Sequence, residues 1–543
     1  MPARSQALPN SPSASAANPR NSANPSQKRG LGNSAKSSAR RCLRTKKFTP
    51  RGTTSRSSPA APSKGLKTKA ATNSSRNSTS PPNAIPTLRR MRREPLGFGL
   101  AIAAEGNGPG DAPGARCATP TPDGRVSSPG RKGEPFAFDG GRSSTARPMS
   151  GLQPNARSRR IEESATLAIS ATAARLKAEG KDVVSLGAGE PDFPVPAPIA
   201  DAGVRAIQQG NYRYTPAPGV PELRAAGAAW LQQAFGLSYG KDEVMVCAGA
   251  KAALHMALDA IVEPGDRVLV LAPYWVSYPA LVTMSDGVPA IVPAVPEQGF
   301  VHTPEQVAAA IAQHGAKGII LNFPNNPSGM VPTRAQLQAI VDVCLRHGLW
   351  IVSDEIYATL VYDDATHVSP AALPGARDRT IVVNGFTKSH TLTGWRTSFL
   401  AGPRAVVDAA CRIQSQVLGN PCTISQAATL AACEVPVPGE HEKRMRACHE
   451  RRAFLLDRVN RIPGMKLAPP RGAFYALIDV RDFCRDHGID DVVFCERLLA
   501  RHLLAAVPGS AFAIPGFVRL SYAASMDSLR KAADRLAAFA EAK

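Results

Sequence analysis

A chain of 543 residues is long enough for two or three domains and a large core. The formal net charge of +22 sits almost entirely in the tail: residues 1–148 hold 26 Lys and Arg against 6 Asp and Glu, a net +20, whereas 149–543 hold 39 against 37, a net +2. That split removes nucleic acid as a partner of the folded part; ten Cys without a Cys-x-x-Cys pair give no metal site or disulfide framework, and no apolar stretch approaches the roughly 18 residues of a membrane helix.

Residues 1–148 are rich in Ser, Pro, Ala, Asn and Arg and carry no acidic residue before Glu94. They show no sustained helical or strand period, so they cannot bury enough apolar surface to offset chain entropy and are expected to be disordered. Three readings compete for this stretch. An organellar transit peptide is Arg- and Ser-rich and acid-poor, like residues 1–93. A nucleic-acid-binding arm is also basic, but aromatics for base stacking are nearly absent. A start of translation at Met149 would leave the stretch unmade. We favour the start at Met149, with the transit peptide second, and expect a soluble cytoplasmic protein.

From Ile161 to Glu179 apolar residues recur at helical spacing, and Gly180 ends the run as a C-cap. A strand-like Val183–Leu186 leads into Gly187-Ala188-Gly189-Glu190-Pro191. From about 197 to 440, β-like runs (Val244–Cys247, Arg267–Leu271, Gly318–Leu321, Leu349–Val352, Thr380–Val383) alternate with helical ones. That alternation predicts an α/β fold, a mostly parallel sheet with helices on both faces. After about 440 come a long charged helix, strands at Ala473–Val480 and Val518–Tyr522, and an amphipathic helix, which read as a smaller α+β domain. The expected divisions are therefore an extension 1–148, an arm and part of the small domain 149–196, a large domain 197–440 and a small domain 441–543.

Three of the buried strands end in polar segments: Asn325-Asn326-Pro327-Ser328-Gly329, Ser353-Asp354-Glu355-Ile356-Tyr357, and Asn384-Gly385-Phe386-Thr387-Lys388, which runs on to Gly394-Trp395-Arg396. Ligands of open α/β sheets bind at this carboxyl edge. Other stretches of the same kind are Gly187–Phe193, Tyr214–Arg224 (Tyr-Thr-Pro-Ala-Pro-Gly-Val-Pro-Glu-Leu-Arg) and Pro273-Tyr-Trp-Val-Ser-Tyr278. In order and spacing these motifs resemble the class I aminotransferases, fold type I enzymes dependent on pyridoxal 5'-phosphate, across essentially all of 155–540. Within that family the chain is most similar to the branch holding bacterial aspartate and prephenate aminotransferases.

The resemblance implies roles that the residues alone leave open. Lys388 matches the Schiff-base lysine that also shuttles the substrate Cα proton, although a loop lysine is by itself most often a solvated charge. Asp354, otherwise an N-cap, matches the carboxylate that keeps the pyridinium nitrogen protonated. Tyr357 and Asn326 match the partners of the cofactor's phenolic oxygen, and Trp275 the aromatic stacked on its ring; core packing and a turn before Pro are their plainer fates. Gly249, Ala250 and Lys251 open a helix after a strand, so their amides suit a phosphate, with Arg396 as its bidentate grip. Tyr214 matches a tyrosine reaching that phosphate across a homodimer interface. Gly385 replaces a hydroxyl that some relatives carry, for which Thr387 is the substitute.

For the substrate, Arg519 matches the arginine that holds the α-carboxylate, met also by the Gly189 amide. Lys251 and Thr166 match residues implicated in reading a distal carboxylate and in prephenate use, where a helix-turn cap and phosphate binding are the plainer readings. The expected activity is amino transfer between aspartate and 2-oxoglutarate, with prephenate use as the alternative and a fold type I carbon–sulfur β-lyase behind it. A regulator with an aminotransferase-like sensor is disfavoured, because residues 1–148 lack the helical pattern of a DNA-binding module. Mass measurement of the protein from its own source is expected to give a chain beginning at Met149; an intact Met1 form overturns that start.

Overall fold

The computed structural model describes residues 152–542. The disorder expected of 1–148 lies outside these residues, and everything below concerns the unit that contains them.

Strands that are apolar on both sides form here because helices cover both faces of one sheet. After the short β1 (Val184–Ser185) come β2 (Val244–Cys247), β3 (Arg267–Leu271), β4 (Val288–Val292), β5 (Gly318–Asn322), β6 (Trp350–Asp354), β7 (Thr380–Asn384) and β8 (Ser398–Ala401). The last seven form a single sheet in the order β2-β8-β7-β6-β5-β3-β4. Only β8 runs against its neighbours. On one face Val268, Val270, Ile320, Val352 and Val383 pack with Leu254 and Ala257 of the helix Ala250–Ile261. On the other, Ile319, Leu321 and Ile351 meet Val307 and Ile311 of Pro304–His314 and Leu337, Ile340 and Val341 of Arg334–Arg346.

Past the 20-residue helix Glu440–Val459, the strands β9 (Lys466–Leu467), β10 (Tyr475–Asp479), β11 (Leu504–Ala505), β12 (Val507–Pro508) and β13 (Phe517–Ser521) complete the chain with the terminal helix Met526–Glu541. β12-β13-β10-β9 is an antiparallel sheet, packed on helices through Phe494, Leu529, Leu536 and Phe539. β1 pairs in parallel with β11, Val184 opposite Leu504, which ties the segment before residue 197 to the C-terminal part.

Most expected elements form, with shifted ends. The first long helix starts at Ala165 rather than Ile161 and ends at Ala178; Gly180 adopts φ +82° just beyond it. β4 and β8 were not expected. β4 is an edge strand with Pro289 and an exposed Val288, which blunts its apolar pattern, and β8 is only four residues long after a polar loop. Among the described residues no helix is long and apolar enough to cross a membrane.

What matters for function is register. β5, β6 and β7 pair in parallel, with Asn322 opposite Asp354 and Asp354 opposite Val383, so their polar ends emerge together. Packing of the helix Pro221–Phe235 on β8 offers a test of the core, because a Cβ on Gly227 would sit 2.6 Å from the Phe399 ring. An Ala in mid-helix is worth about 1 kcal/mol over Gly, whereas overpacking costs about 1–3 kcal/mol. Gly227→Ala is therefore expected to lower the urea midpoint; a raised midpoint would show that the ring moves aside at little cost.

Candidate functional site

The loops after β5, β6, β7 and β3, the segments at Gly189 and Ala250, the helix Ala165–Ala178 and the strands β10 and β13 line a cavity of about 220 Å³ at this sheet edge. The first loop is rigid because Asn325 braces it: its side chain donates to Pro273 O at 3.1 Å and accepts from Ser328 N at 3.1 Å. Asn326 N donates to Asn322 Oδ1 at 3.0 Å, which holds the Asn326 side chain against the cavity.

Asp354 ends β6 almost fully buried. Tyr278 OH donates to its Oδ2 at 2.7 Å and Ile356 N to its Oδ1 at 3.3 Å. Burial pushes this carboxyl up to about 6, against the pull of those two donors. Tyr357 lies one turn further on, its hydroxyl 2.8 Å from that of Tyr475.

Lys388 leaves β7 through the Gly385 turn, where a Cβ would come within 3.2 Å of Ser398 Cα on β8. Its Nζ donates to Gly189 O at 2.7 Å. Burial pulls the amine down to about 8; Glu190 and Asp354 oppose the shift while Arg396 and Arg519 add to it. Thr387 is buried beside it and donates to Thr397 O at 3.3 Å.

Arg519, in the middle of β13, is 1% exposed. Its Nη1 donates to Asn326 Oδ1 at 2.8 Å and its Nη2 to Gly187 O at 2.5 Å. The guanidinium lies over the rings of Tyr475 and Phe512, at 4.6 and 4.8 Å. Its Nε has no partner, and no carboxylate among the described residues forms an ion pair with it. A buried guanidinium balanced only by neutral acceptors is poised for an anion.

A second cationic corner lies at the N-terminus of the helix Ala250–Ile261. Gly249 precedes it at φ +90°, and a Cβ there would fall 2.5 Å from Arg396 Nη2. Only glycine lets that guanidinium lie against the helix's free amides. Arg396 donates to Thr393 O at 3.0 Å and has no acidic partner among the described residues. Lys251 Nζ stands 5.1 Å from the centre of the Trp275 ring, and burial, then Arg396, lowers its affinity for a proton.

The structure thus brings Thr166, Gly189, Ala250, Lys251, Trp275, Asn326, Asp354, Tyr357, Thr387, Lys388, Arg396 and Arg519 to a single cavity, with Gly249 directly behind Arg396. The Thr166 hydroxyl is buried there without a partner. Tyr214 is not brought in: it is 97% exposed on the surface, beside Tyr212 and Leu418. Sequence reasoning missed Tyr278, Asn322 and Tyr475. Tyr278 sat in a quoted motif without a role, and Asn322 is the polar end of β5; Tyr475 carried no local signal, because only the fold brings it to Tyr357.

A part-buried amine, a buried carboxyl and a buried guanidinium with no ion-pair partner among the described residues thus line one cavity. Residues 181–536 match the family described as aminotransferase class I and II, and the chain belongs to it. The chain is 42% identical over 386 residues to the aspartate aminotransferase of Geobacillus stearothermophilus, which covers 70% of this chain and 98% of that protein. It is 42% identical to the aspartate/prephenate aminotransferase of Thermus thermophilus, with 70% and 97% covered. The solved aspartate aminotransferase from Thermus thermophilus with maleate superimposes with a TM-score of 0.68 at 41% identity, covering 72% of this chain and all of that one. The fold type I architecture expected from the sequence agrees with these likenesses.

Below its titration point Lys388 is protonated and unreactive; above it the amine is free. In the ligand-free protein, acetylation of Lys388 by acetic anhydride is expected to reach half its plateau rate near pH 8, against about 10.4 for an ordinary lysine. Peptide mass spectrometry reads the modified lysine, and a half-point near that of an ordinary lysine contradicts the enclosed position of Lys388.

Proposed function

We propose that the chain transfers the amino group of aspartate to 2-oxoglutarate with pyridoxal 5'-phosphate held in this cavity, Lys388 being the residue that binds it and moves the substrate proton. The observation that carries the reading is the opposition of Arg519 to Lys388 across one cavity: a carboxylate-free buried guanidinium facing an amine of lowered basicity.

The residues present fit the cofactor. The glycine-lined corner of Gly249, the amides of Ala250 and Lys251 and the Arg396 guanidinium suit a phosphate. Asp354 suits a protonated ring nitrogen, Tyr357 and Asn326 a phenolic oxygen, and Trp275 a ring face. Thr387 reaches a phosphate only by turning its hydroxyl hydrogen away from Thr397 O. When bound, pyridoxal phosphate supplies an aldehyde that takes the amino group and a protonated ring that draws electrons from the substrate Cα.

The protein's own part is then specific. Arg519 fixes the α-carboxylate by a two-pronged contact, helped by the Gly189 amide, and so sets the direction of the Cα–H bond. Asp354 stays ionised opposite a cation, because a positive partner reverses the effect of burial on its carboxyl. Lys388, its basicity lowered to about 8 by burial, takes the Cα proton as the free amine and would deliver it to the carbon that carried the cofactor's aldehyde. Asn326, by bonding Arg519, keeps the carboxylate reader aligned with the ring partners.

Specificity for a second carboxylate is assigned to Lys251, which lines the cavity close to Trp275. A second reading, use of prephenate as well as aspartate, is favoured by Thr166, whose buried hydroxyl lacks a partner at the same cavity. The name of the Thermus thermophilus relative joins both substrates. Exposed Tyr214, with Tyr212 and Leu418 around it, suits a homodimer in which it reaches the partner's phosphate corner.

Wild type given aspartate alone is expected to form about one oxaloacetate per site without free ammonia; ammonia release would place the chain with the β-lyases. Lys388→Ala is expected to keep its circular dichroism and lose turnover by at least about 10³-fold, a scale typical of removing a positioned proton carrier. Lys251→Ala is expected to raise KM for aspartate and, in the second reading, for prephenate; unchanged kinetics for both remove Lys251 from specificity.

A further inference from the structure

On β6, Asp354 faces the cavity, so its neighbours Ser353 and Glu355 face the opposite side of the sheet. Glu355 is 1% exposed and takes no part in the mechanism above. Its Oε1 accepts from Ser353 Oγ at 2.9 Å and Ser369 Oγ at 2.6 Å, and its Oε2 lies 3.1 Å from His367 Nε2. Three polar partners thus hold one carboxyl group in a buried place.

His367 Nδ1 is buried with no partner, so the ring joins the network through Nε2. The remaining titratable group near Glu355 is Tyr239, whose phenol is pushed up by burial and by Glu355 itself; Arg377 stacks on Tyr239 at 4.9 Å but pairs with Glu243. No Lys or Arg among the described residues bridges Glu355. A carboxyl with no Lys or Arg partner among the described residues therefore sits one residue from Asp354, inside the protein.

We propose that Glu355 and His367 are positioning residues for Asp354: the carboxylate fixed behind β6 makes its neighbour a better partner for a protonated ring nitrogen. The inference rests on the cofactor reading above. It assigns the Ser353-Glu355-His367-Ser369 network an electrostatic task rather than a packing one.

The test is binding to the ligand-free protein of two probes, pyridoxal phosphate and its analogue with carbon in place of the ring nitrogen. Wild type is expected to prefer the natural cofactor. In Glu355→Gln that preference, read as the ratio of the two Kd values, is expected to shrink about tenfold, the effect of one pKa unit at Asp354. His367→Phe is expected to shrink it less, with partial rescue in His367→Gln, which restores an N–H. Ser369→Ala removes one donor only and provides a milder variant should the others fail to fold; its ratio is expected to fall in the same direction. Equal weakening of both probes, or an unchanged ratio in folded variants, overturns the proposal. Failure of wild type to bind either probe would instead remove the cofactor reading on which it stands.

Discussion

The buried guanidinium of Arg519 is the constraint around which the rest of the molecule is arranged. Removing such a charge from water costs several kcal/mol, and the protein offsets it with neutral oxygens and two aromatic faces, its Nε having no partner among the described residues. Neither acceptor is local: Asn326 is 193 residues away along the chain and Gly187 is 332. The C-terminal antiparallel strands, the segment after β1 and the loop after β5 must therefore all be in place before this charge is tolerable.

Latches of the same kind hold the site's rim. Arg451 makes a bidentate pair with Asp192, at 2.7 and 2.9 Å, and Arg444 donates to Ser389 O at 2.8 Å and Pro194 O at 2.7 Å. Both arginines come from the helix Glu440–Val459. They hold residues 189–194 against the loop of Lys388, whose amine already bonds Gly189 O. The long charged helix is thus not a solvated spacer. Its inward arginines stitch the N-terminal segment to the lysine loop.

How much of this was legible in the sequence follows from the range of each interaction. β5, β6 and β7 announced themselves because a parallel strand covered on both faces must be continuously apolar, and the polar residues that end them must lie at the carboxyl edge. Lys388, Asp354, Tyr357 and Asn326 were readable for that reason. β4 and β8 were not, since an edge strand with Pro289 and a four-residue strand after a loop lose the apolar run that identifies their neighbours. Tyr475 was invisible for a different reason. Its role depends on meeting Tyr357 across 118 residues, and no local pattern encodes a contact made by two separate sheets.

The two faces of β6 show how such a site can be tuned without touching its ligand. Alternation along a strand places Asp354 in the cavity and Glu355 behind it, so one peptide carries both the functional carboxylate and a second carboxyl held by three polar partners. Within a low-dielectric interior, two charges on adjacent residues interact far more strongly than in water. A substitution behind the sheet can then alter the basicity of a group in front of it while leaving every cavity contact unchanged. Lys388 is governed by the same logic from the other sign: Arg396 and Arg519 add to the effect of burial and lower the amine's affinity for a proton, while Glu190 and Asp354 oppose them.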